Sequence, residues 1–141
     1  MTTSVAPSPS SSAEVDSEPF VLLVDDHGPS LALLRALVES AGLACLSARS
    51  GAEALACSDV RRPAVVVTDL IMPTLDGRCL ARWLEARFPK LPILLMTGEH
   101  LDSEAIEGFQ RTFCAVLTKP LELDHFLTLL RELMPSNGRS A

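Results

Sequence analysis

Five short apolar runs, each followed by a segment with helical spacing, constrain this chain more than any other feature. The runs are FVLLV at 20–24, LACLS at 43–47, AVVVT at 64–68, PILLM at 92–96 and CAVLT at 114–118. Their length and their Val/Ile/Leu content read as strands that are apolar on both faces. After the first run, Pro29 sits where a first helical turn tolerates proline, and Leu31, Leu34, Leu37, Val38 and Ala41 recur at helical spacing up to Gly42. A short helix is expected over 52–57. Leu80, Trp83, Leu84 and Phe88 mark one face of a third helix that ends before Pro89. A weak fourth helix, interrupted by Gly108, is expected over 102–111. Leu123, Phe126, Leu127, Leu130 and Leu133 form the stripe of the last. The order is (βα)₅. Doubly apolar strands alternating with helices imply an α/β fold, a doubly wound parallel sheet covered on both sides. In such sheets ligands bind beyond the carboxyl ends of the strands.

The 141 residues suit one domain. Residues 1–18 are rich in Ser, Pro and Ala and cannot bury enough surface to offset their ordering entropy, so a disordered tail is expected there. A second short tail is expected at 135–141, leaving the domain at 19–134 and no output domain after it. With five Phe, one Trp and no Tyr, the core must be aliphatic. A net charge of −6 without any basic run argues against a direct nucleic-acid surface. The pair Arg61-Arg62 reads as solvated loop. Cys45, Cys57, Cys79 and Cys114 form no metal-binding spacing and read as reduced thiols. No apolar run reaches the roughly 18 residues that span a bilayer, and no signal peptide opens the chain, so a cytoplasmic protein without membrane contact is expected.

The polar residues worth weighing all stand at strand ends. Asp25 and Asp26 follow the first run, Asp69 the third, Thr97 the fourth, and Lys119 and Pro120 the fifth. If strands 1, 3, 4 and 5 are neighbours, these side chains meet at one edge of the sheet. Three carboxylates there repel one another, and a hard divalent cation such as Mg²⁺ resolves the repulsion through oxygen ligands. Lys119 adds a point charge for a carboxylate or phosphoryl oxygen, and Thr97 a hydroxyl donor. Such a set suits phosphoryl transfer to a carboxylate, where catalysis is mostly positioning and charge neutralisation. Taken singly, Asp-Asp is most often a turn or a helix cap, and Thr-Gly or Lys-Pro says little. Their joint placement carries the argument.

These motifs, LLVDDH at 22–27, VVVTDLIMPTLDG at 65–77, LPILLMTG at 91–98 and VLTKP at 116–120, resemble the receiver domain of bacterial two-component response regulators. The likeness covers roughly 19–134. It implies a flavodoxin-like five-stranded sheet of strand order 2-1-3-4-5. It implies Asp69 as phospho-acceptor, and Asp26 with Asp25, Asp69 and the Ile71 backbone carbonyl around Mg²⁺. Thr97 and Lys119 would bond the phosphoryl group, Gly98 would leave it room, and the Lys119–Pro120 bond would be cis. The partners implied are a histidine kinase and, downstream, an effector or a histidine phosphotransfer protein, with the domain a monomer or weak dimer. LPILLMTG is also similar to receivers attached to hybrid histidine kinases.

Two positions depart from the family pattern. Val116 stands where many members carry a switch Tyr or Phe, and Thr112-Phe113 replaces the common Gly-Ala. Phe113 or a shift of helix 4 is therefore expected to carry the response, through the helix 4–strand 5–helix 5 face. Ile71 and Glu99 border the acceptor, and an apolar Ile71 should hinder water. His27, His100 and His125 read as surface residues, Asp76 as a helix cap, and Trp83 as packing. The rival chemistry, an aspartate-nucleophile phosphatase, normally has a second Asp two residues after the first. Ile71 occupies that position.

Overall fold

The structure, a computed structural model, describes residues 18–98 and 103–135. The tails expected at 1–18 and 135–141, except for Glu18 and Pro135, lie outside the described residues, as do Glu99 and His100. The strands are β1 (Phe20–Val24), β2 (Ala44–Ala48), β3 (Val65–Asp69), β4 (Ile93–Thr97) and β5 (Ala115–Thr118). Between and after them run α1 (Gly28–Ser40), α2 (Gly51–Val60), α3 (Gly77–Arg87), α4 (Ser103–Gln110) and α5 (Leu123–Leu133). The strands pair in parallel in the order β2-β1-β3-β4-β5, the expected fold and order. The register sets Val24 beside Thr68, Thr68 beside Leu95 and Leu95 beside Val116, so β3 runs one residue and β4 and β5 two residues past the end of β1.

Alternation along the strands divides the core into two layers. Leu22, Val24, Val66 and Leu95 face one way, toward Leu80 and Leu84 of α3 and toward Phe113. Val21, Leu23, Val67 and Leu94 face the other way, toward Leu31, Leu34 and Val38 of α1 and Phe126 and Leu130 of α5. Burying each such side chain contributes about 1.5–3 kcal/mol before entropy is counted. The helix starts follow local chemistry. Ser50 accepts from Glu53 N ahead of α2, and the Asp76 carboxylate accepts from Arg78 N and Cys79 N ahead of α3. With that cap, α2 runs from Gly51 to Val60, longer than the expected 52–57.

Several expectations need correction. Asp69 and Thr97 do not follow their strands but are the last residues of them. Trp83 is 57% exposed, because the buried stripe of α3 runs through Gly77, Leu80, Ala81 and Leu84 and leaves Trp83 on its flank. Phe88 is the C-cap of that helix. Leu123 opens α5 and stays exposed, while Met134, just past its end, is buried. Arg61 and Arg62 are not simply solvated: their guanidinium carbons lie 4.4 and 5.7 Å from the ring centroids of Phe20 and Phe88.

Two glycines let chain segments approach one another. A Cβ on Gly77 would stand 2.4 Å from the backbone oxygen of Asp69, whereas one on Gly51 would meet the Leu75 side chain. A side chain can rotate away, but a strand carbonyl cannot. We expect Gly77→Ala to lower stability by about 1–3 kcal/mol despite the better helix propensity of alanine, and Gly51→Ala to lower it by less. Urea unfolding checks this, and equal losses would contradict it.

Candidate functional site

The expected convergence is present at the carboxyl edge of β1, β3 and β5. Carboxylate oxygens of Asp25, Asp26 and Asp69 lie within 4.8 Å of one another. Asp25 is the most constrained. It is fully buried, its backbone N donates to Ala48 O at 3.1 Å, and its Oδ1 accepts from His27 N at 2.9 Å. Its Oδ2 is buried without a hydrogen-bond partner, with Lys119 Nζ still 3.9 Å away. Asp26 is exposed at the rim. Asp69 Oδ1 takes a 2.7 Å contact from Lys119 Nζ. Lys119 is aimed there from the end of β5. Its backbone N donates to Thr97 O at 2.9 Å, and the Lys119–Pro120 peptide is cis. Thr97 itself is buried at the end of β4.

The donor set suits a hard divalent cation. It offers oxygen ligands only, and a buried carboxylate oxygen left without a partner is costly unless something positive reaches it. Asp25, Asp26 and Asp69 would hold Mg²⁺. Bound there, such an ion would neutralise charge on the carboxylates.

Around these groups stand residues whose importance was not read from the sequence. His27 is exposed, yet its Nδ1 accepts from Ser30 N as the N-cap of α1, holding the loop that carries Asp25 and Asp26. Arg49 Nη2 donates to the backbone carbonyl of Asp26 at 3.3 Å from the neighbouring loop. The buried Thr68 donates its hydroxyl to Asp69 O at 2.9 Å, and Gly77 N donates to Leu70 O at 2.8 Å. A long-range contact such as that of Arg49 leaves no local spacing to detect. Gly77 could have been suspected from its place at the start of a helix. Of the remaining expected positions, a Cβ on Gly98 would meet nothing within 4 Å, Ile71 is 61% exposed beyond β3, and Val116 packs against the layer that holds Phe113. Cys45, Cys57, Cys79 and Cys114 are free thiols, and burial pushes Cys45, Cys57 and Cys114 up in pKa, so these three are not activated.

Burial pushes the Asp69 carboxyl up to about 6; the Lys119 ammonium pulls it down and the Asp25 carboxylate pushes it up. The ionised Asp69 carboxylate is thus disfavoured when no cation is bound. A carboxyl whose folded pKa lies above its unfolded one destabilises the fold above that folded pKa and not below the unfolded one. In chelator, Asp69→Asn should therefore be more stable than the parent by about 1–3 kcal/mol at neutral pH. The gap should shrink as pH falls through about 6 toward about 4. Saturating Mg²⁺ should close or reverse it. Denaturant titrations across pH check this, and a gap independent of pH would contradict it.

Comparison with known proteins agrees with this geometry. Residues 21–131 match the family described as the response regulator receiver domain. The chain is 31% identical over 111 residues to the DNA-binding transcriptional regulator NtrC of Escherichia coli K12, covering 79% of this chain and 24% of that protein. It is 34% identical over 114 residues to the response regulator MprA of Mycobacterium sp. strain KMS, covering 81% of this chain and 50% of that protein. The chain therefore spans between a quarter and a half of the length of these curated relatives. Among solved structures, the chemotaxis protein CheY4 of Vibrio cholerae superimposes with a TM-score of 0.75 at 26% identity, covering 84% of this chain and all of that one. The receiver domain of the Francisella response regulator 1452 gives 0.75 at 27% identity, covering 88% and 100%. The sheet order, the carboxylate cluster and these matches agree, and the chain belongs to the receiver-domain family of two-component response regulators.

Proposed function

We propose that this domain accepts a phosphoryl group from a partner histidine kinase onto Asp69, in a Mg²⁺-dependent step, and signals through protein contacts. The observation that carries the reading is the meeting of Asp25, Asp26 and Asp69 within 4.8 Å, with Lys119 Nζ 2.7 Å from the acceptor. An Asp69 oxygen attacks phosphorus as the P–N bond of phosphohistidine breaks. The electron pair returns to the imidazole nitrogen, which then takes a proton. Lys119, already on Asp69, pairs with a phosphoryl oxygen as negative charge moves outward. Thr97, at the end of the adjacent strand, turns its hydroxyl toward the group. Most of the work is positioning.

A groove that includes Asp25 and Lys119 adjoins the site on the α1–α5 side. Exposed Leu33 and Leu123, on α1 and α5, line that groove together with Asp25, Lys119 and Pro120. An apolar rim beside the acceptor suits the helix of a partner that presents a histidine. The same rim serves transfer onward to a histidine phosphotransfer protein, the second reading. The domain would work in the cytoplasm as a monomer or weak dimer. No helix among the described residues is long and apolar enough to cross a membrane. A phosphatase reading has less support, because exposed Ile71 stands where a second Asp would be needed as acid.

Incubation with acetyl phosphate should label the protein only with Mg²⁺, and Asp69→Asn should abolish labelling. Labelling of Asp69→Asn at the parent rate would contradict the reading. Sustained release of phosphate from a simple phosphomonoester would favour the phosphatase. Ile71 shields the acyl phosphate from water, so Ile71→Asn should shorten the lifetime of the phosphorylated form several-fold. An unchanged decay rate would remove that role.

A further inference from the structure

A groove between α3 and α4 is lined by none of the residues of the carboxylate site. Its volume is about 400 Å³. Arg78 and Arg82 form one wall, one helical turn apart on α3, and Gly108, Phe109 and Thr112 form the other, with Phe113 at the floor. Among the described residues no carboxylate lines it, and neither arginine forms an ion pair with a described carboxylate. This holds although the chain carries 18 acidic residues against 12 basic ones. The groove's lining therefore carries positive charge and no carboxylate, although exposed Glu104 and Glu107 stand elsewhere on α4.

The walls are built rather than accidental. The Arg78 guanidinium carbon lies 5.5 Å from the ring centroid of Phe109, and Phe109 meets Phe113 edge to face at 6.1 Å and 71°. Phe113 is 2% exposed, so the aromatic pair is anchored in the core. On the other side, the α3 start is fixed to the acceptor strand by the close approach of Gly77 to Asp69 O. At Gly108 a Cβ would meet nothing within 4 Å, so the groove is open there. A cleft with an aromatic wall and one arginine held over it loses less entropy when it is filled than a wholly mobile surface does.

We propose that the α3–α4 groove docks an acidic segment of a partner protein. Two carboxylates one helical turn apart meet Arg78 and Arg82, and an apolar side chain between them packs on Phe109. Charge complementarity selects this occupant: guanidiniums pair well with carboxylates, while a basic or neutral segment leaves both unpaired. The face lies apart from the Leu33–Leu123 rim beside Asp69, so a partner could sit here while the acceptor stays open. The docking does not rest on the phosphotransfer reading.

The test uses the full chain and a synthetic helical peptide with two glutamates four residues apart flanking a leucine. Amide chemical shifts followed by NMR should move around Arg78, Arg82, Phe109 and Thr112. Binding should weaken several-fold between about 0.1 M and about 1 M salt, as the screening length falls from about 10 to about 3 Å. Arg82→Glu should weaken it about tenfold or more while leaving acetyl phosphate labelling of Asp69 intact. Gly108→Glu supplies an independent check, since it places a carboxylate in the groove that repels the peptide's glutamates and competes for the arginines, while removing a helix-weakening glycine. It too should weaken binding. Shifts that centre elsewhere, or equal binding by a lysine-for-glutamate peptide, would overturn the proposal. So would parent-like affinity in Gly108→Glu.

Discussion

Three carboxylates lie within 4.8 Å of one another at the end of the sheet, and one of their oxygens is buried with no hydrogen-bond partner. Repulsion among them must be offset, and the domain is arranged around that requirement. Lys119 offsets part of it, with its ammonium 2.7 Å from Asp69 and 3.9 Å from Asp25. The remainder calls for a divalent cation and an all-oxygen environment. The carboxyl of Asp69, held up at about 6 chiefly by burial, expresses the same imbalance. A site left short of positive charge in this way is compatible with a bound cation.

The parallel sheet makes such crowding possible. All its strands point the same way, so their carboxyl ends share one edge, and the last residues of β3 and β4 and the loops just beyond β1 and β5 can each deliver a polar group to one spot. Two apolar layers, one on each face, hold those ends in place. Backbone contacts then fine-tune the site: Asp25 N to Ala48 O, Lys119 N to Thr97 O, and Leu70 N to Met96 O. Asp69 thus sits at the end of a strand hydrogen-bonded on both sides, with the helices packed around it.

Much of this was legible in the sequence because period and punctuation coincide. Runs such as VVVT followed by Asp69, or FVLLV followed by Asp25-Asp26, mark both the strand and the end where chemistry collects. Less visible were groups that act across the fold. Arg49 holds the Asp26 carbonyl from another loop, and Gly77 matters because a strand carbonyl lies against it, not because of its neighbours in sequence. Trp83 was misread for a related reason: helical spacing places it near the stripe of Leu80 and Leu84, but small Gly77 and Ala81 complete the buried face and leave the indole outside. Val116 leaves β5 without a switch aromatic. The structure offers a different set of contacts nearby, in which Arg78 overlies Phe109 and Phe109 abuts buried Phe113.

The central claim is that Asp69, alone among the clustered carboxylates, becomes an acyl phosphate. Borohydride reduces an aspartyl phosphate to homoserine and leaves free carboxylates untouched. Treatment of the phosphorylated protein, digestion and mass spectrometry should place homoserine at position 69 and leave Asp25 and Asp26 unmodified. Homoserine at position 25 or 26, or its absence from position 69 in phosphorylated protein, would contradict the account.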